Sequence, residues 1–264
     1  MLSHEPISVF LILLFTRMAT EKRIMSQSAG TILTYLGHST ILIQTSSGVR
    51  ILIDPWTINN PACPSEWKSV DSLGKLDMIL ITHIHNDHAG DAETVIRANP
   101  DANIVGIYEA CNWITSKGAR HTLPMNIGGT QNVEGIDITM TRADHSSSFT
   151  EPDGTVVYGG SAAGYILKLE DGLTVYAAGD TALFGEMALI SSLYKPTVAI
   201  LPIGDLFTMG PIQASEAIRI LKARQIIPIH YGTFPALTGT PDTLRELTSD
   251  IPGLLISADL PPRI

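Results

Sequence analysis

Residues 83 to 88 read His-Ile-His-Asn-Asp-His, and four of these six side chains can bind a metal. Imidazole and carboxylate are ligands for Zn²⁺, Mn²⁺ or Fe²⁺. Alternate side chains on an extended backbone share a face, so His83 and His85 can converge on one ion. If the chain then turns toward a helix, Asp87 and His88 are re-aimed and can serve a second ion beside the first. Burying so many polar groups without partners is costly, and a cation is the natural compensation.

The elements that must position these groups can be read around them. The apolar run 78–81 is long enough for a buried strand and short for a helix, and it leads straight into the motif. Three more candidates follow strand-like segments: His145 in Arg-Ala-Asp-His-Ser, Asp180 in Tyr-Ala-Ala-Gly-Asp-Thr and His230 in Ile-Pro-Ile-His-Tyr-Gly-Thr. Open sheets gather their sites at strand ends, so these loops can meet at one rim.

Elsewhere, 31–44 reads as two strands broken at Leu36-Gly37-His38-Ser39, and 49–53 as a strand ending at Asp54-Pro55-Trp56. A loop rich in Pro, Asn and Ser runs to about Gly74. Residues 91–98 suit a helix stopped by Asn99-Pro100, 104–107 a strand, and 109–117 a helix closed by Gly118. Segments 165–169 and 173–177 flank Glu170-Asp171-Gly172, a hairpin signal. Helices at 187–193, 212–223 and 241–247 then alternate with strands at 198–201, 226–229 and 254–256. Thr240 and Pro241 supply the N-cap and first position of the last helix. The pattern predicts one α/β domain, with mixed sheets and helices outside.

The chain has 264 residues, 44% hydrophobic and 16% charged, with a net charge of −9. That balance, without a run of Lys or Arg, speaks against nucleic acid or an anionic membrane as partner and for a small molecule. Cys63 and Cys111 fit no Cys-x-x-Cys pattern and read as free thiols in a reducing compartment, so a cytoplasmic location is expected. The apolar stretch 7–15 is too short to span a bilayer. It lacks the positive flank of a signal peptide, although weak export or anchoring is the competing reading. Residues 1–28 are therefore set apart as an extension, with the domain at 29–264.

The ordered set His83-x-His85-x-Asp87-His88, His145, Asp180 and His230 resembles the metallo-β-lactamase-fold hydrolases, over about residues 30 to 260. Tyr35-Leu36-Gly37-His38-Ser39, Ala178-Gly179-Asp180-Thr181 and Leu201-Pro202-Ile203-Gly204 resemble the UlaG-like, UPF0173-type branch. So do Phe207-Thr208-Met209-Gly210-Pro211 and His230-Tyr231-Gly232-Thr233-Phe234-Pro235.

The resemblance implies an α/β (α+β) fold, a four-layer αββα sandwich of two mixed β-sheets flanked by helices. It implies two divalent metal ions per chain, Zn²⁺ first, with Mn²⁺ or Fe²⁺ as alternatives. His83, His85 and His145 would hold one ion, Asp87, His88 and His230 the other, and Asp180 would bridge them. A hydroxide shared by the ions would then attack an ester-type bond in a lactone, phosphodiester or similar small molecule, with Asp87 or Asp180 guiding a proton. Relatives of this kind often assemble, so a homo-oligomer is compatible with the reading.

His38 reads either as a catalytic pocket group (an anion contact or proton donor) or as a structural hydrogen bond. Asp54 reads either as acceptor for a metal-bound His or as a turn former. Trp56 and Tyr231 line the pocket or simply pack, and His121 reads as surface. Asp205-Leu206 departs from the Gly-His expected there, which leaves the substrate-facing loop open. The competing functions are a non-catalytic metal- or ligand-binding regulator, and a nuclease or phospholipase on the same fold.

Overall fold

A computed structural model describes residues 24–25 and 30–258. The chain opens with strands β1 (Ile24–Met25), β2 (Ile32–Tyr35), β3 (Ile41–Gln44) and β4 (Arg50–Ile53). Helix α1 (Val70–Leu73) precedes β5 (Met78–Leu80), and α2 (Asn86–Ala89) and α3 (Ala92–Ala98) precede β6 (Asn103–Ile107). Helix α4 (Tyr108–Ser116) leads to β7 (Thr122–Met125). These seven strands form one sheet in chain order, antiparallel from β1 to β4 and parallel from β4 to β7.

The second half contributes β8 (Thr130–Val133), β9 (Ile136–Arg142), β10 (Ser148–Thr150), β11 (Val156–Tyr158), β12 (Ala163–Lys168) and β13 (Thr174–Ala177). Helices α5 (Met187–Tyr194), α6 (Pro211–Leu221) and α7 (Pro241–Leu247) then alternate with β14 (Val198–Pro202), β15 (Gln225–Ile229) and β16 (Leu255–Ile256). The second sheet runs β16-β15-β14-β13-β12-β9-β8, and β10 and β11 pair by themselves. Each sheet is mixed, as expected.

The central parallel strands β5 and β14 are apolar throughout because both their faces are covered: every residue of each is buried. Between the sheets lies one core, to which Tyr165 of β12 is the clearest witness. Its hydroxyl crosses to the first sheet and donates to the carbonyl of Ile81 at 2.7 Å. Helices α5, α6 and α7 pack side by side as an outer layer, and α4 packs on β6 and β7.

The differences from the sequence reading are local. Helix α6 begins at Pro211 rather than 212, because proline suits the first helical position, where its missing N–H is not needed. It ends at Leu221 because Lys222 turns left-handed (φ 58°). The β10–β11 hairpin, three residues a strand, carries no pattern that the sequence marks. Of the segment set aside as an extension, Ile24–Met25 pairs with β2, and the apolar stretch 7–15 lies outside the described residues. Among the described residues no helix is long and apolar enough to cross a membrane.

Candidate metal centre

Every sequence-predicted ligand sits just past the C-terminal end of a strand or on the turn that follows. His83, His85, Asp87 and His88 come after β5, His145 after β9, Asp180 after β13 and His230 after β15. The four-residue helix α2 turns the chain after His85, so that Asp87 and His88 join a different cluster from His83 and His85, although the His83 and His88 ring centroids stay 4.0 Å apart. The result is two groups of ligand atoms, each drawn within 4.8 Å: His83, His85 and His145 in one, and His38, Asp87, His88 and His230 in the other.

Asp180 belongs to neither group and stands between them. Its Oδ2 lies 2.9 Å from His230 Nε2 and 3.2 Å from His88 Nε2 on one side. On the other side it lies 3.8 Å from His145 Nε2. Asp54 links the groups from behind, since it also falls within 4.8 Å of His83 and His88.

The backbone is bent sharply to achieve this. His38, Asp54 and His230 all take left-handed φ values, of 55°, 51° and 56°. Each such turn costs a non-glycine residue about 1–2 kcal/mol, a strain that clusters where side chains must be aimed. Tertiary hydrogen bonds hold the turns. The His230 amide donates to the His38 carbonyl at 2.6 Å, which also accepts from the Tyr35 hydroxyl at 2.9 Å.

Hydrogen bonding also decides which imidazole nitrogens face inward. Thr82 gives its hydroxyl proton to Asp54 Oδ2 at 2.7 Å, so its oxygen accepts from His83 Nδ1 at 3.0 Å. Asp54 Oδ2 likewise accepts from His88 Nδ1 at 2.8 Å. In both rings Nε2 is left to the centre. His88 Nε2 and Asp180 Oδ1 are buried and have no hydrogen-bond partner, although His88 Nε2 is near Asp180 Oδ2. A nitrogen lone pair facing a buried carboxylate is the donor set a divalent cation requires. The residues present fit a metal.

Without a cation, protons take that place. Burial opposes charging His88, yet the Asp180 and Asp54 carboxylates raise its pKa well above the usual imidazole value. Against the same burial, Asp180 raises His230 to about 9. His83 has no such excess of carboxylate and is pushed well down by burial and by the neighbouring His88. His38 falls to about 4, mainly by burial, despite its bond to Asp87. Burial works against charge on Asp87 too, but contacts with His230 and His38 outweigh it and keep the carboxylate ionised.

Asp54 is hydrogen-bonded to His88 and also makes a left-handed turn at the end of β4. His38 is wholly buried, with Nε2 3.0 Å from Asp87 Oδ2 and Nδ1 2.9 Å from Thr233 Oγ1. Trp56 and Tyr231 are both buried, Trp56 with its ring edge-on to His38 at 5.1 Å. His121 is exposed. The Asp205-Leu206 pair forms a left-handed turn (φ 68° and 50°) with Leu206 and Phe207 outside, and Met209 behind it is bonded to Thr181.

Several supporting residues were not foreseen. Thr82 and Thr233 are described above. Asn86, between the candidate ligands His85 and Asp87, faces away: its side chain donates to and accepts from the backbone of Thr150 at 3.1 Å, docking the β10–β11 hairpin on the loop after β5. Asp91 Oδ2 accepts three backbone amides, from Thr57, Ile58 and Asn59, and so shapes the loop after β4. Cys63 and Cys111 are free, buried thiols.

This fold and this donor set define a metal-dependent hydrolase of the metallo-β-lactamase superfamily. A family model described as a beta-lactamase superfamily domain matches residues 49–231. The chain is 46% identical over 217 residues to a UPF0173 metal-dependent hydrolase of Rubrobacter xylanophilus, covering 82% of this chain and 88% of that protein. It is 47% identical over 214 residues to one from Solibacter usitatus, covering 81% and 90%. The structure of Igni18, a metallo hydrolase of Ignicoccus hospitalis, superposes with a TM-score of 0.76 at 35% identity, over 88% of this chain and 96% of that one. The chain belongs to the UPF0173 metal-dependent hydrolases.

Proposed function

We propose that this hydrolase cleaves an ester-type bond, in a lactone, phosphodiester or similar small molecule, with two divalent cations per chain. Zn²⁺ is the first choice and Mn²⁺ or Fe²⁺ the alternatives, since the ligands are imidazole and carboxylate with no thiolate. The observation that carries the reading is the position of Asp180 Oδ2 between two ligand clusters, 2.9 Å from His230 on one side and 3.8 Å from His145 on the other.

His83, His85 and His145 would hold one cation, and Asp87, His88 and His230 the other, with Asp180 shared. When bound, such a pair supplies a nucleophile from water near neutral pH and Lewis acidity toward a substrate oxygen. The protein's own groups do the rest. Asp54 and Thr82 fix the tautomers of His88 and His83, so that both present Nε2. Asp180, with 2% of its side chain exposed, is held rigidly by burial. Asp87 has 30% of its side chain exposed and is held ionised. It is the acidic ligand that can accept and orient a proton at the open edge of the site.

The acidic balance of the chain favours a small-molecule substrate over nucleic acid, and the buried free thiols suit a cytoplasmic setting. The UlaG-like branch is where the sequence motifs would place such an enzyme.

Bound metal per chain, measured by plasma mass spectrometry for the wild type and Asp180→Ala, tests the reading. Lactone and phosphodiester hydrolysis is followed alongside. Two ions per wild-type chain, fewer in the variant, and turnover lost with the metal are expected. A folded wild-type chain that takes up no more than one of Zn²⁺, Mn²⁺ or Fe²⁺ would overturn it.

A further inference from the structure

His38 touches two of the proposed ligands by two different routes. Its ring lies 3.0 Å from Asp87 Oδ2 through Nε2 and 2.9 Å from Thr233 Oγ1 through Nδ1. An ionised carboxylate can only accept, so the Nε2 proton is donated to Asp87 and the Thr233 hydroxyl donates to Nδ1. Its carbonyl, in turn, accepts the amide of His230 at 2.6 Å. Asp87 comes from the first sheet and His230 from the second, and both belong to one cluster. No hydrogen bond joins His38 to His83, His85 or His145.

We propose that His38 is the positioning residue of the Asp87–His88–His230 cation site, holding a ligand from each sheet at one point and leaving the other site alone. This rests on the two-cation reading above. His38 falls within ligand distance of the cluster, but both its ring nitrogens are engaged inside the protein, so it acts through its neighbours. Asp87 is the ligand that most needs such support. It sits on a four-residue helix with part of its carboxylate open to solvent, free to turn to other rotamers without a fixed donor. The Thr233 end of the line anchors the ring itself. Trp56 and Phe234 pack edge-on against the same ring, at 5.1 and 5.6 Å, and limit its rotation.

The test is a Co²⁺ titration of the metal-free full-length protein, read by visible absorption and by competition with a chelator. It compares the wild type with His38→Asn, His38→Gln and Thr233→Val, each checked for native circular dichroism. Asparagine tolerates the left-handed backbone but reaches only the Thr233 end; the longer glutamine amide reaches toward the Nε2 position and Asp87. The first ion is expected to bind all four proteins alike. The second should bind His38→Asn about 10- to 100-fold more weakly, with His38→Gln restoring most of the loss. Thr233→Val should fall between the wild type and His38→Asn.

Equal uptake of both ions by wild type and folded His38→Asn overturns the proposal, as does a folded His38→Gln no better than His38→Asn. If His38→Asn does not fold, Thr233→Val decides: undiminished binding of the second ion overturns the assignment. A wild type that binds one ion overturns the two-cation reading instead, and this proposal with it.

Discussion

Asp54 Oδ2 lies 2.8 Å from His88 Nδ1, and neither side chain has more than 2% of its surface exposed. The same carboxylate accepts from the amide and hydroxyl of Thr82, at 2.8 and 2.7 Å. One buried acid therefore orients two neighbouring imidazoles, His88 directly and His83 through Thr82. Asp54→Ala leaves three buried donors without their acceptor. It should cost about 3 kcal/mol of stability and 10- to 100-fold in metal affinity. Asp54→Asn, which keeps one acceptor oxygen, should fall between. Thermal denaturation and chelator competition read the two effects separately, and a native melting temperature for Asp54→Ala would refute the role.

The metal-free protein should be most stable near the ordinary histidine pKa. His230 is raised to about 9 in the fold, so its contribution is complete below about pH 6.5 and is lost as pH climbs through 9. His38 is lowered to about 4, so the folded form resists the proton that the unfolded chain accepts, and stability falls from about pH 6.5 down to 4. Metal affinity should rise across the alkaline window, because an ion must displace the protons held on His88 and His230. Melting temperatures at pH 5, 6.5 and 9, with and without Zn²⁺, check both signs. An apo protein that gains stability between pH 6.5 and 9 would contradict the first.

Gly204 should tolerate no side chain. A Cβ there would run into the His230 carbonyl oxygen, which is backbone and cannot swing away. Gly204→Ala should destabilise the protein by about 1–3 kcal/mol and push His230 out of place. A lowered melting temperature together with weakened metal binding is the expected result. Loss of stability with normal metal binding would show that the strand end yields without moving its histidine.

Much of the site could be read beforehand because its signals are local. Ile-rich runs such as 78–81 and 226–229 mark buried strands, and a histidine or aspartate at their ends has few uses other than function. The same locality explains the cap of α7, where Thr240 accepts from the Thr243 amide as its position suggested. Thr233, Thr82 and Asn86 were not legible, for the converse reason. Hydroxyl and amide side chains are ordinary on any surface, and their partners appear only once the sheets are assembled. Thr233 meets His38 across 195 positions of chain. The β10–β11 hairpin, short and half-exposed, has too weak an alternation to stand out, and it is docked by the Asn86 amide rather than by a sheet. Pro124 argues against a strand at β7, yet proline is tolerated there because the strand is at an edge.

The first sheet carries the candidate ligands His83, His85, Asp87 and His88, and the second carries His145, Asp180 and His230, so neither half of the chain holds the whole candidate set. Cut between β7 and β8, the protein would yield two fragments that each present an open, half-furnished edge to solvent. Their reassociation would be reported by metal uptake, which makes the turn at Gly128-Gly129 a natural place to split the enzyme into a complementation pair whose signal depends on metal binding.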